Sequence, residues 1–297
     1  MHASRLPHPE YDERHGFRVL TWDDWISWRT NGYLVVPGVV PVELCRRVAD
    51  RLWDFLDADP DDPTTWYELA ANRSGAPTRR AASGMLEIYH DRAMWDVRQH
   101  PRLYDVFVDL WGTEELWVTI DRANLNVPVT DEWSFDGFLH WDLDPADPPV
   151  AAIQGIVALV DTTVEMGGLQ LVPESFARFD ELAAGQVGAD RPRFPDTTGM
   201  QVVAVECRAG DLVVWESRTV HGTASNRGHR PRLAQYVSMG PAEPDDAETL
   251  ELRLQSFRER GPFLGNPAFR GDTRELDVAR APELTPLGER LLGRVSW

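Results

Sequence analysis

Between residues 116 and 239 a succession of short apolar segments constrains the fold more than any other feature of the chain. Residues 116–127, 151–160, 169–172, 201–206, 211–215 and 233–239 are each rich in β-branched residues or leucine and bounded by Gly, Pro or Asp. Gly167-Gly168 and Gly210-Asp211 are turn signals between them. No long helical pattern separates the segments, so a parallel βαβ sheet is disfavoured. An antiparallel barrel or double-sheet jelly roll is expected.

Helical periodicity flanks this block. Thr21 is placed to cap a helix over 22–30, ended by Asn31-Gly32, and 33–36 reads as a short strand stopped by Pro37-Gly38. Pro41 suits the first turn of a helix to about Asp57, with Leu44, Val48, Leu52 and Phe55 on one face. Further helices are predicted over 101–110, over 247–260 and from Thr285-Pro286. The stretch 58–83, rich in Asp, Pro, Arg, Ala and Gly, reads as an irregular loop and a candidate lid. The domain organisation expected is an N-terminal arm (1–20) and one catalytic domain (21–297). That domain has a helical part over about 21–115, a jelly-roll core over about 116–240 and a helical segment over 241–297. The fold class is thus mainly β with flanking helices.

Charge and composition exclude several functions. The net charge of −18 argues against nucleic acid or an anionic membrane as a partner. All thirty basic residues are arginine, so lysine Schiff-base chemistry and lysine-bearing phosphate loops are ruled out. No apolar run approaches the roughly 20 residues of a membrane span, and residues 1–18 carry no export signal. A cytoplasmic protein acting on a small molecule is expected; the oligomeric state is left open. Cys45 and Cys207 are read as small buried hydrophobes.

Histidines with carboxylate company are the candidates for metal chemistry. His2, His8 and His15 accompany Glu10, Asp12 and Glu13 in the arm, which reads as a solvated tail. His90 and His100 fall in helical context with surface or capping roles, and His229 lies in an exposed turn. His140-Trp141-Asp142 is different. On an extended segment, positions i and i+2 share a face, so imidazole and carboxylate meet one ion from the same side while Trp141 turns away. His221, after the segment 211–215, can close the set. Two histidines and one carboxylate leave adjacent coordination positions open, the arrangement of non-haem iron(II) oxygenases. Zinc hydrolases use similar ligands, but the H-E-x-x-H spacing is absent. Arg232, eleven positions after His221, is suited to fork onto the far carboxylate of a dicarboxylic acid held on the metal, with the Thr223 hydroxyl beside it. Arg230 is its rival; Arg218 and Arg227 are read as surface residues.

Several motifs in this order give the chain a resemblance to a known family. They are His140-Trp141-Asp142, residues 166–175 (MGGLQLVPES), Gly210-Asp211 through His221 to Asn226, and Pro231-Arg232. The opening stretch 31–38 (NGYLVVPG) and the closing 284–288 (LTPLG) add to them. Together they resemble the phytanoyl-CoA dioxygenase family over about residues 21–240. The resemblance implies a double-stranded β-helix core of the cupin-like type. It also implies Fe(II) on His140, Asp142 and His221, and 2-oxoglutarate anchored by Arg232 and Thr223. Hydroxylation of an unactivated C–H with O2 would then give succinate and CO2. Pro231 fits the family's Pro-Arg step, which favours Arg232 over Arg230.

Two departures bear on substrate. Pro173-Glu174-Ser175-Phe176 stands where many members carry Pro-Gly-Ser-His, which alters a loop near the site entrance. The acidity of the chain disfavours a coenzyme A thioester. Asp142 is present, whereas halogenating members lack the metal carboxylate, so hydroxylation is favoured over halogenation. Desaturation, epoxidation and ring closure remain open to the same oxidant. Arg122, Asn124 and Asn126 alternate on one strand and line the pocket if that face points inward. Gln154, a polar interruption of AAIQGIVALV, is a candidate for the 2-oxoglutarate pocket. The alternative reading is a redox-silent cupin-like metal binder or isomerase, which would have no use for Arg232. A non-enzymatic interaction protein comes third and leaves the triad unexplained.

Overall fold

The computed structural model of the protein describes residues 16–67, 84–148, 152–263, 275 and 279–297. The arm histidines and residues 68–83 of the candidate lid lie outside the described residues.

The elements run α1 (Trp22–Asn31), β1 (Tyr33–Val36), α2 (Val42–Leu56), β2 (Met85–Leu86), α3 (Arg92–Arg98), α4 (Pro101–Trp111), β3 (Leu116–Val118), β4 (Ala123–Asn126) and β5 (Ile153–Ala158). They continue as β6 (Leu169–Val172), α5 (Pro173–Ala177), α6 (Phe179–Gln186), β7 (Val203–Ala204), β8 (Leu212–Glu216), β9 (Val220–Thr223), β10 (Arg232–Tyr236), β11 (Met239–Pro241), α7 (Ala247–Glu259) and α8 (Pro286–Leu292). A six-stranded sheet has the order β1-β8-β5-β10-β4-β2; a three-stranded sheet, β7-β6-β9, is its partner. Every pairing is antiparallel. This is the jelly-roll architecture expected from the sequence. Among the described residues no helix is long and apolar enough to cross a membrane.

Strand alternation divides the large sheet's side chains between two cores. In β8, Leu212 and Val214 join the main core with the flanking helices, while Val213 and Trp215 join an inner cluster with Leu169 and Leu171 of the small sheet. β10 follows the same rule: Leu233 points to the main core, Ala234 to the inner cluster. The even-numbered positions Arg232 and Tyr236 therefore face the space between the sheets, and both line a cavity there. The helices cover the opposite face, where Gln235 Nε2 donates to the Met94 carbonyl at 3.0 Å.

The segment 116–127 is two strands rather than one. β3 pairs with β11 in a separate ladder, and β4 enters the large sheet. The break falls at Asp121, whose side chain accepts from the Arg122 amide at 2.7 Å while Arg98 donates to its carbonyl at 2.5 Å. Only Val203–Ala204 of 201–206 pairs as a strand. Cys45 is fully buried, but Cys207 is only partly so. His90 is likewise not a surface residue. It is buried, its Nδ1 accepts from Trp95 Nε1 at 3.1 Å, and Nε2 lies 3.0 Å from Ser256 Oγ and 3.1 Å from the Gly261 carbonyl. Burial, and then the nearby Arg98 charge, push its pKa well below the ordinary histidine value. It is a neutral core link between α3 and the end of α7 with the turn after it. His100 caps α4 through its backbone alone.

The last residues of the arm are docked. Asp109 of α4, buried, accepts from the amides of Arg18 (2.9 Å), Val19 (2.8 Å) and Leu20 (2.9 Å). One carboxylate thus satisfies three consecutive donors and fixes the entry into α1. Asp109→Ala should cost about 2–3 kcal/mol, since hydrogen bonds to a charged acceptor are lost and the amides are left under cover. Asp105→Ala, which removes only a partly exposed pair with Arg18, should cost under about 1 kcal/mol. Urea denaturation checks the contrast; equal midpoints for the two variants would show that Asp109 does not hold the segment.

Candidate active site

The site begins with a backbone contact. The His140 amide donates to the His221 carbonyl at 2.8 Å, and the His221 amide donates back to the His140 carbonyl at 3.0 Å. This antiparallel bridge ties the irregular segment 137–142 to β9. It needs Gly222, because a Cβ there would stand 1.8 Å from the Phe138 carbonyl oxygen. Gly137, at φ +72, meets the Thr223 carbonyl in the same way. Residues 81 positions apart in the chain are held as neighbours: the two histidines share one rung of a ladder.

His140 and Asp142 face the cavity, and Trp141 turns away into a buried cluster with Phe179 and Val220. Trp141 Nε1 donates to the Arg218 carbonyl at 2.8 Å, which locks the alternation. His140 Nε2 lies 3.3 Å from Asp142 Oδ1, and His221 Nε2 lies 3.4 Å from Asp142 Oδ2. Ligand atoms of the three residues all fall within 4.8 Å of one another. His221 Nδ1 donates to the Thr219 carbonyl at 3.0 Å, which sets the ring so that Nε2 points toward Asp142. Burial raises the Asp142 carboxyl, but hydrogen bonds and charge from His140 and His221 outweigh it and hold the carboxyl well below the usual range. The acid is therefore ionised, as a metal ligand must be. The donor set, two imidazole nitrogens and a carboxylate converging from one side, fits a divalent iron.

Beside the triad the cavity has a volume of about 340 Å³. Arg232 lies in its wall, 3% exposed, and Asn124 Oδ1 accepts from its Nη1 at 2.8 Å. Among the described residues no carboxylate pairs with it. Burial lowers its pKa from the ordinary arginine value, yet a guanidinium keeps its charge. A buried cation with no carboxylate partner, facing a cavity, has its charge left for an anionic ligand to neutralise. Thr223 and Arg122 also line the cavity. Asn124 does not line it and acts through Arg232. Asn126 is a brace, donating to the Gly167 and Ala224 carbonyls at 2.7 and 2.9 Å. Gln154 lines the cavity, but its amide is committed elsewhere: Nε2 donates to Asp142 Oδ2 at 2.9 Å, and Oε1 accepts from Trp215 Nε1 at 3.0 Å.

Sequence reasoning missed three participants. Tyr236 is four residues from Arg232 on β10, and the period of the strand was the available signal. Burial pushes its phenol up to about 12, against the opposing Arg232 charge, so it keeps its proton. Phe138, 48% exposed, packs against His140 with ring centroids 4.9 Å apart. Arg193 reaches Asp142 from a loop 51 residues away, and no local pattern marks it. Phe176, at the position where the motif departs from the family, packs on Gly32 and does not line the cavity. The neighbouring Ser175 supports β9 instead, its Oγ accepting from the Val220 amide at 2.8 Å.

A jelly roll with a His-x-Asp…His cluster and an inward arginine defines a class, and comparison with known proteins gives the family. The profile of the phytanoyl-CoA dioxygenase (PhyH) family matches residues 28–234, and the chain belongs to that family. It is thereby one of the non-haem iron, 2-oxoglutarate-dependent oxygenases. A curated relative, Ava biosynthesis cluster protein O of Aspergillus versicolor, is 24% identical over 265 residues, covering 81% of this chain and 85% of the relative. Among solved structures, the epimerase SnoN in complex with Fe3+, alpha ketoglutarate and nogalamycin RO is similar with a TM-score of 0.54 at 23% identity. The match covers 74% of this chain and 83% of SnoN. The hypothetical protein JW0805 from Escherichia coli is similar with a TM-score of 0.68 at 16% identity, over 92% of this chain and 82% of that one.

Gly222→Ala tests the bridge. The added methyl should push 137–140 off β9 and destabilise the protein by about 1–3 kcal/mol, with Co(II) affinity reduced at least tenfold as ligand geometry is lost. Unchanged Co(II) binding in an anaerobic titration would show that the close approach is not what assembles the cluster.

Proposed function

We propose that the chain is an Fe(II)- and 2-oxoglutarate-dependent dioxygenase that hydroxylates an unactivated C–H of a small organic molecule of natural-product type. The observation that supports it most is the unpaired, buried Arg232 in the same cavity as the His140–Asp142–His221 cluster. Ferrous iron held by the triad supplies O2 activation, with 2-oxoglutarate consumed to succinate and CO2. The residues do the rest. Arg232 binds the far carboxylate of 2-oxoglutarate by a two-pronged ion pair, with the Thr223 hydroxyl as a second donor. Asn124 fixes the guanidinium plane. Arg122, bonded through its carbonyl to the Tyr236 amide and lining the same cavity, meets the co-substrate or substrate, and Tyr236 supplies a neutral hydroxyl. Ile156, Leu169 and Trp215 exclude water around the reacting groups. The arm, the helical segments and the jelly roll are read as serving one catalytic domain.

SnoN, similar in fold, is named an epimerase. Which bond the oxidant meets depends on how the substrate lies in the cavity, so product analysis separates hydroxylation from epimerisation, desaturation or ring closure.

Anaerobic protein with Fe(II) and 2-oxoglutarate should show a visible metal-to-ligand charge-transfer band, and Asp142→Ala should lose both the band and succinate formation while remaining folded. Arg232→Met should keep Fe(II) binding but raise the apparent 2-oxoglutarate constant on the order of a hundredfold, the equivalent of about 3 kcal/mol for a buried charge pair. No band in iron-loaded wild-type protein would defeat the assignment.

A further inference from the structure

Among the described residues, each oxygen of Asp142 has one donor besides the histidines. On Oδ2 that donor is Gln154, itself pinned by Trp215 in the sheet wall. On Oδ1 it is the Arg193 guanidinium. Arg193 belongs to the loop between Gly188 and Gly199, both in the left-handed region at φ +80 and +82 with open space where a Cβ would stand. The loop is otherwise anchored to the site through the same residue. Arg193 Nε donates to the Trp141 carbonyl at 2.7 Å, and the Trp141 amide donates to the Arg193 carbonyl at 2.8 Å. The next residue, Phe194, places its ring 6.3 Å from that of His140 and 6.2 Å from that of Phe138.

We propose that Arg193 is a positioning residue for the metal carboxylate, gripping Asp142 from outside the jelly roll as Gln154 does from within, so that the 188–199 loop is mechanically joined to the metal centre. This deepens the reading of the triad as an iron site and rests on it. A carboxylate on a short side chain keeps two torsions free, and a cation can take it through either oxygen or both. Two donors on opposite oxygens remove that freedom before the ion arrives. The guanidinium is suited to the task because it is planar and always charged, and it bonds the Trp141 carbonyl and the Asp142 oxygen at once. A lysine has its donors on a single nitrogen at the end of a flexible stem and does not match the fixed planar spacing of these two bonds. Arg193 lies half exposed in the cavity wall, so its work is done at the opening, where nothing in the sheets can reach.

The consequence for binding follows from what second partners do for metal ligands. Losing one that orients a ligand weakens metal affinity by roughly 10–100-fold. Arg193 differs from a merely structural loop residue in that its loss must register at the metal and leave the co-substrate anchor, Arg232, untouched.

The test is an anaerobic Co(II) titration of full-length wild type, Arg193→Met and Arg193→Lys, followed by visible absorption of the bound Co(II). Arg193→Met should weaken Co(II) binding about tenfold or more and shift the Co(II) absorption. With saturating Fe(II) it should lower kcat while the KM for 2-oxoglutarate stays within about twofold. Arg193→Lys should fall between it and wild type. Amide hydrogen exchange across residues 188–199 should be faster in Arg193→Met than in wild type. Arg193→Met with wild-type Co(II) affinity and absorption overturns the inference, and so does a Lys variant as weak as the Met variant with no faster hydrogen exchange across the loop. Should Arg193→Met not fold, the Lys variant decides by the same titration: affinity equal to wild type overturns the inference. Failure of wild-type protein to bind Co(II) or Fe(II) at all is a separate outcome, which removes the iron-site reading itself.

Discussion

The metal cluster depends on two backbone hydrogen bonds more than on any side chain. The reciprocal bridge between His140 and His221 brings an irregular segment and a β-strand into register, and the side chains converge because the backbones are already paired. Backbone pairing is indifferent to side-chain identity except where space runs out. Space runs out at Gly222, beneath the Phe138 carbonyl. A glycine directly after the second histidine is therefore as much a part of the site as the ligands.

The same alternation that stabilises the large sheet also builds the cavity. Leu212, Val214 and Leu233 feed the main core, and the residues between them face the small sheet. Inward positions near the middle are apolar and packed. Toward one end they become Gln154, Arg232 and Tyr236, and the space opens. Stability and chemistry are thus allotted to opposite faces of the same strands. A buried arginine would be costly in the main core. On the inner face it is supported by Asn124 and open to an anionic ligand.

Much of this was legible in the sequence because it is periodic or local. Short strands with turn residues between them imply an antiparallel β fold, and His140-Trp141-Asp142 has the spacing that puts two polar side chains on one face. Arg232 could be singled out for its distance from His221 and its place at a strand start. Long-range partners were not legible. β9 is four residues with a glycine in it, too weak a pattern to read as a strand, and exists because β6 and His140 pair with it. Arg193 bonds Asp142 across 51 positions from an irregular loop. The burial of His90 arises from Ser256 and Gly261, far along the chain. Gln154 was legible as a polar residue needing partners, but the identity of those partners is a property of three strands meeting.

The rim of the cavity is made of different material from its floor. Phe138 and Phe194 stand 48% and 37% exposed at the opening, on chain segments that, among the described residues, pair with no strand beyond the two isolated bridges at Gly137 and His140. Exchanging such side chains leaves the ladders, the two cores and the ion-holding groups as they are. A scaffold arranged in this way separates what must stay fixed from what is free to vary. Descendants of one ancestor can then diverge in the molecules they accept by editing a few rim positions, with the oxidative machinery inherited intact.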